Sequence, residues 1–165
     1  DFSANTLQGG DCTNFVSQAL HTGGWQYTAS RDDKSTNTWY VAWNNAKRAF
    51  TNSQTWSTAA GFYRRIINDK YEKSVLPTSD LYSLRPGDIA FLTSGGKSHH
   101  TMIVTGYQEK PWWNPFASYG PLVSYHNGGV NPNTNMPNLP QQNILLTEVI
   151  ARSPNDTPVF AKVRS

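Results

Sequence analysis

Residues 9–25 read GGDCTNFVSQALHTGGW, and this stretch decides the fold. Counting from Cys12, the apolar residues Phe15, Val16, Ala19 and Leu20 recur at helical spacing and form one stripe, which predicts a helix over Cys12–His21. Asp11 suits the N-cap and Gly23-Gly24 the stop. The preceding segment, residues 1–10, is polar and ends in Gly-Gly, so it reads as a loop. A thiol attacks as the thiolate. The first turn of a helix favours that form through its unpaired N–H groups and partial positive charge. The same N–H groups can hold the oxyanion of an acyl transfer, and Gln8 is a further donor from the loop. Cys12 is therefore a candidate nucleophile. Its place on the apolar stripe equally suits a buried, inert cysteine.

Outward from this helix, helical spacing of Trp39, Trp43 and Ala46 predicts a second helix over about 38–49. Ala59, Phe62, Tyr63, Ile66 and Ile67 predict a third over about 57–70. After Pro86-Gly87 the pattern changes to short β-like runs at Asp88–Thr93, Thr101–Tyr107, Leu122–His126, Leu146–Arg152 and Val159–Val163. Helices first and strands later predict one α+β domain over residues 1–165, with N-terminal helices packed on a C-terminal antiparallel sheet. Residues 127–143, rich in Asn and Pro, read as a long loop.

The composition excludes several classes. With 6 Trp, 8 Tyr and 7 Phe but only 15% charged residues, the chain is neither disordered nor a solvated charge scaffold. The net charge of +3 and the pI of about 9.0 suit an anionic surface such as a cell wall. Lys and Arg form no basic stripe, which argues against a nucleic-acid partner. No run of 18 apolar residues offers a membrane span. The single cysteine precludes an intrachain disulfide. A monomer is expected. The chain starts at Asp1 without methionine, which suggests removal of an upstream segment.

Four histidines are available as a base: His21, His99, His100 and His126. His21 lies nine residues beyond Cys12, roughly 13 Å along the helix axis, too far to serve. His99 and His100 open the strand HHTMIVTGY, where side chains alternate. His100 shares a face with Met102 and Val104, the face expected to meet the Cys12 helix, while His99 faces away. His126 and Asn127 end the next strand on opposite faces, and either could orient the base from its far ring nitrogen. Asn14, Ser17 and Gln18 fall on the other face of the first helix. Without a CxxC, HExxH or HxH pair, the sequence predicts no metal and no cofactor.

These segments together resemble the bacterial putative amidase domain family, related to papain-like cell-wall hydrolases of the CHAP type. DCTNFVSQAL is the specific block. TWSTAAGFYRRI (55–66), LRPGDIAFL (84–92), SHHTMIVTGY (98–107) and VSYHNGG (123–129) follow in the family's order. The resemblance implies a papain-like cysteine hydrolase fold, with Cys12 as nucleophile, His100 as base and His126, or alternatively Asn127, as third residue. It further implies a secreted bacterial enzyme that cleaves amide C–N bonds in a peptide or peptidoglycan-like substrate. Relatives usually carry a helix before the DCTNF motif, where this chain has only ten residues. Two other functions fit the same fold. One is an inactive binding module with Trp112 and Trp113 of KPWWNPF as an aromatic platform. The other is a cysteine acyltransferase or deamidase.

Overall fold

The computed structural model describes residues 11–127 and 140–164. The first helix, α1 (Asp11–Thr22), forms as its stripe dictates and buries Val16 and Leu20 completely or nearly so. Each such aliphatic side chain contributes about 1.5–3 kcal/mol on burial. The segment that follows departs from expectation. Residues 38–49 are not a helix; they enter a hairpin of β1 (Val41–Asn44) and β2 (Ala49–Asn52). Trp39 is buried, whereas Trp43 is 54% exposed and meets its cross-strand partner Phe50 edge-on at 5.1 Å. Cross-strand aromatic pairing overrides the accidental helical spacing of Trp39, Trp43 and Ala46. The helical run at 57–70 is present but broken into α2 (Gln54–Ser57), α3 (Ala59–Tyr63) and a π-helical turn at Arg64–Asn68. The break falls at Thr58, whose extended backbone ends α2 and whose side chain caps α3 by accepting from Gly61 N–H.

Six strands form one antiparallel sheet in the order β3-β8-β4-β5-β6-β7. They are β3 (Val75–Thr78), β4 (Ile89–Ser94), β5 (Lys97–Gln108), β6 (Gly120–Tyr125), β7 (Gln141–Leu145) and β8 (Thr157–Val163). A fifth helical segment, the 3-10 turn Leu81–Ser83, precedes β4. Residues 146–151 are a helix, α4, rather than the expected strand. Leu146, Val149 and Ile150 are three and four residues apart, the spacing of a helix face, and Leu146 and Val149 are buried. Strand β3 was not expected either, because Pro77 interrupts its pattern; as an edge strand it tolerates the missing N–H. The tight β4–β5 link is Gly95-Gly96, with φ of 56° and 76°, a two-residue turn whose positive φ at both positions glycine adopts without strain.

The sheet divides the core. One face carries Ile89, Phe91, Ile103 and Ala161, packed with Val16 and Leu20 of α1 and with Trp39, Trp56, Phe62 and Ile66. The other carries Ala90, Leu92, Met102, Val104, Val123, Tyr125 and Phe160, covered by Leu84 and by Leu146 and Val149 of α4. This division settles which strand residues can meet α1. Among the described residues no helix is long and apolar enough to cross a membrane.

Candidate active site

Cys12 occupies the first turn of α1 and is 4% exposed. Its Sγ lies 3.7 Å from Thr13 Oγ1, which in turn is 3.0 Å from Thr101 Oγ1 on β5. The opening of the helix is thereby pinned to the start of the central strand. Residues 1–10, including Gln8 as a donor for the oxyanion, lie outside the described residues.

Asp11 does not sit outside the helix as a cap. It is itself helical, the first described residue of α1, and its carboxylate serves two partners. Oδ2 lies 2.7 Å from His126 Nδ1. Oδ1 accepts from Asn14 Nδ2 at 3.3 Å. The His126 ring stacks on Phe15 with centroids 4.3 Å apart and planes within 15°. Phe15 stands four residues after Asp11 and so lies on the same side of the helix. Cys12 follows about 100° further round, between this side and the sheet-facing Thr13 and Val16. A carboxylate only accepts, so the His126 bond places the ring proton on Nδ1 and leaves Nε2 as the basic nitrogen.

His100 goes elsewhere. It was expected on the face that meets α1, but that face belongs to Thr101 and Ile103, with the smaller Thr101 allowing close approach of Thr13. His100 lies with Met102 and Val104 on the α4 side, edge-on to Tyr125 at 4.7 Å. There it lines a cleft of about 310 Å³ together with Leu92, His99, Tyr125, Asn127 and Arg152. Asn127 and His126 thus separate as strand alternation predicts: His126 to the cysteine helix, Asn127 to the His100 cleft. His99 is the extra residue of a β-bulge, since Leu92 pairs with His100 and Thr93 with Ser98. It is half-exposed and 2.9 Å from Asp156. His21 closes the other end of α1, with Nδ1 2.8 Å from the Trp25 carbonyl and its ring stacked on Tyr27.

Burial pushes the His100 ring down to about 4, the neighbouring His99 acts in the same direction, and Asp156 opposes both. The folded value lies below the ordinary value of 6.5. Between the two, the unfolded chain binds the extra proton, so folding is favoured by higher pH. This contribution is fully present above about pH 6.5 and is lost as pH falls toward 4. Its ceiling is about 3 kcal/mol, at about 1.4 kcal/mol per unit. Urea unfolding is expected to show stability falling between these values in the parent, and a flatter profile in His100→Gln. Equal slopes in the two proteins would mean that His100 titrates normally.

Sequence reasoning missed Asp11 as the partner of a histidine and Asn14 as a buried residue. Asn14 and Ser17 face the core, not an outer helix face: Asn14 Oδ1 accepts from Trp56 Nε1 at 2.8 Å, and Ser17 Oγ donates to the Trp56 carbonyl at 2.9 Å. The available signal was the period itself, since Asn14, Ser17 and His21 also recur at three- and four-residue intervals. Among the described residues no three His, Cys, Asp or Glu side chains are grouped to hold a metal ion.

No curated protein and no solved structure matches the chain. One family model does match, over residues 1–138, which takes in α1, β4, β5 and β6 with Asp11, Cys12, His100 and His126. Its description points to amide hydrolysis at a general level, and on that match the chain belongs to the putative amidase domain family.

Proposed function

We propose that this chain hydrolyses an amide C–N bond with Cys12 as nucleophile and His126, held by Asp11, as its base. The observation that carries the reading is the 2.7 Å contact of His126 Nδ1 with Asp11 Oδ2, on the helical turn that bears Cys12. His126 Nε2 takes the thiol proton as Sγ attacks the carbonyl carbon. The first-turn N–H groups of α1 hold the oxyanion. The proton passes to the leaving nitrogen, the C–N bond breaks, and water then splits the thioester to release the acid. The papain-like ancestry belongs to this proposal, supported by a cysteine opening a helix that packs on an antiparallel sheet. So do a secreted location and a peptidoglycan-like peptide substrate, supported by the basic balance of the chain, +3 with a pI of about 9.0.

His100 as base is the second reading. The family motif favours it, and burial keeps its ring neutral, the form a base requires. Iodoacetamide alkylation of Cys12 across pH separates the two. Rapid labelling below pH 7 is expected in the parent and in His100→Ala, with collapse in His126→Ala and a fall in Asp11→Asn. Collapse in His100→Ala alone would transfer the role to His100. An ordinary thiol titration in the parent, near 8.5, would remove Cys12 from the chemistry.

A further inference from the structure

Asn14 lies one turn into α1 and is 2% exposed. A buried primary amide has to place two donors and one acceptor group. Its Oδ1 accepts from the Trp56 indole N–H at 2.8 Å, and its Nδ2 donates to Asp11 Oδ1 at 3.3 Å. An indole N–H only donates and a carboxylate only accepts. Flipping the amide would therefore oppose donor to donor and acceptor to acceptor, so each neighbour fixes the orientation for the other.

Trp56 is 1% exposed and has no room to move. Its ring packs against Trp39 at 4.8 Å and Tyr27 at 5.6 Å. At the far end of the line, the second oxygen of Asp11 meets His126 Nδ1. We propose that Asn14 and Trp56 are positioning residues, which set the Asp11 carboxylate against His126 through one continuous line of hydrogen bonds from the core. Neither touches the reacting atoms. The effect on the reaction rests on His126 acting as the base; the effect on the His126 ring does not.

Two readouts keep these apart. The first is the His126 tautomer, followed by nitrogen NMR and assigned by its loss in His126→Gln. The second is iodoacetamide alkylation of Cys12 below pH 7. Asn14→Leu and Trp56→Phe are expected to release the fixed Nδ1–H tautomer and to slow labelling about ten-fold, the equivalent of one pKa unit. Trp56→Phe keeps an aromatic ring in the core and carries the test should Asn14→Leu fail to fold. Ser17→Ala is the control, because it breaks the neighbouring bonds to the Trp56 carbonyl and Trp39 Nε1 without touching Asp11. It is expected to lower the Tm while leaving both readouts unchanged. Retention of the tautomer in folded Asn14→Leu and Trp56→Phe would reduce both residues to packing. Its loss in Ser17→Ala as well would assign the effect to general loosening. Tautomer loss in the variants with ordinary thiol kinetics in the parent would keep the positioning line and overturn the role of His126 as base.

Discussion

A Cys12→Ala variant is expected to lose amide hydrolysis by about 10⁴-fold or more while keeping its fold. Cys12 is the sole cysteine of the chain, so no second thiol can substitute. The side chain is 4% exposed at the opening of α1, and its contact with Thr13 is a long 3.7 Å, so removing sulfur leaves a small void and no buried charge. Turnover should be measured on peptidoglycan fragments and on simple peptide amides, with circular dichroism to confirm the fold. Full turnover by folded Cys12→Ala would take the nucleophile elsewhere, whereas no turnover in the parent on any of these substrates would favour the inactive binding-module reading. Cys12→Ser sharpens the test: a hydroxyl fits the space but is far harder to ionise, so a loss nearly as large is expected.

The largest expected effect on stability lies away from the site, at Asp88. This carboxylate is 3% exposed and accepts two backbone N–H groups at 2.7 Å, Arg85 through Oδ2 and Val163 through Oδ1. It joins the entry of β4 to the end of β8, while the Asp88 carbonyl accepts from Val104 of β5. Asp88→Ala strands both N–H groups. At about 1.5–3 kcal/mol for each charge-assisted bond, the loss is about 3–6 kcal/mol. For a domain of this length that lowers the Tm by roughly 10 °C. Asp88→Asn keeps one accepting oxygen and should fall between. A Tm in Asp88→Ala within a degree or so of the parent would show that the two N–H groups find other acceptors.

The Pro-Gly-Asp motif was legible as the entry to a sheet, and the structure supplies the reason: the Asp staples three strands. The α1 stripe was legible because Val16 and Leu20 meet a single apolar face. Where two periods compete, the sequence was ambiguous. Trp39 and Trp43 fit a helix by spacing and a strand by residue type, and pairing of Trp43 with Phe50 decides for the strand. Residues 146–151 are rich in β-favouring residues, yet Leu146 and Val149 cover the second sheet face as a helix. The candidate site divides in the same way. Alternation correctly separated His126 from Asn127. The choice of face for His99 and His100 rested on the size of Met102 and Val104, whereas close approach of α1 selects the small Thr101. No local pattern could have paired Asp11 with His126, because the bond depends on the packing of α1 against the end of β6.

The Asp11–His126 bond spans 115 residues of sequence. Closing so long a loop has to wait for strands made late in synthesis, and such non-local pairings form slowly. Cys12 is translated more than a hundred residues before His126, the base of the proposed mechanism. On that mechanism a nascent chain holds an unarmed cysteine until β6 is laid down, and a fragment that ends before His126 is expected to be inert.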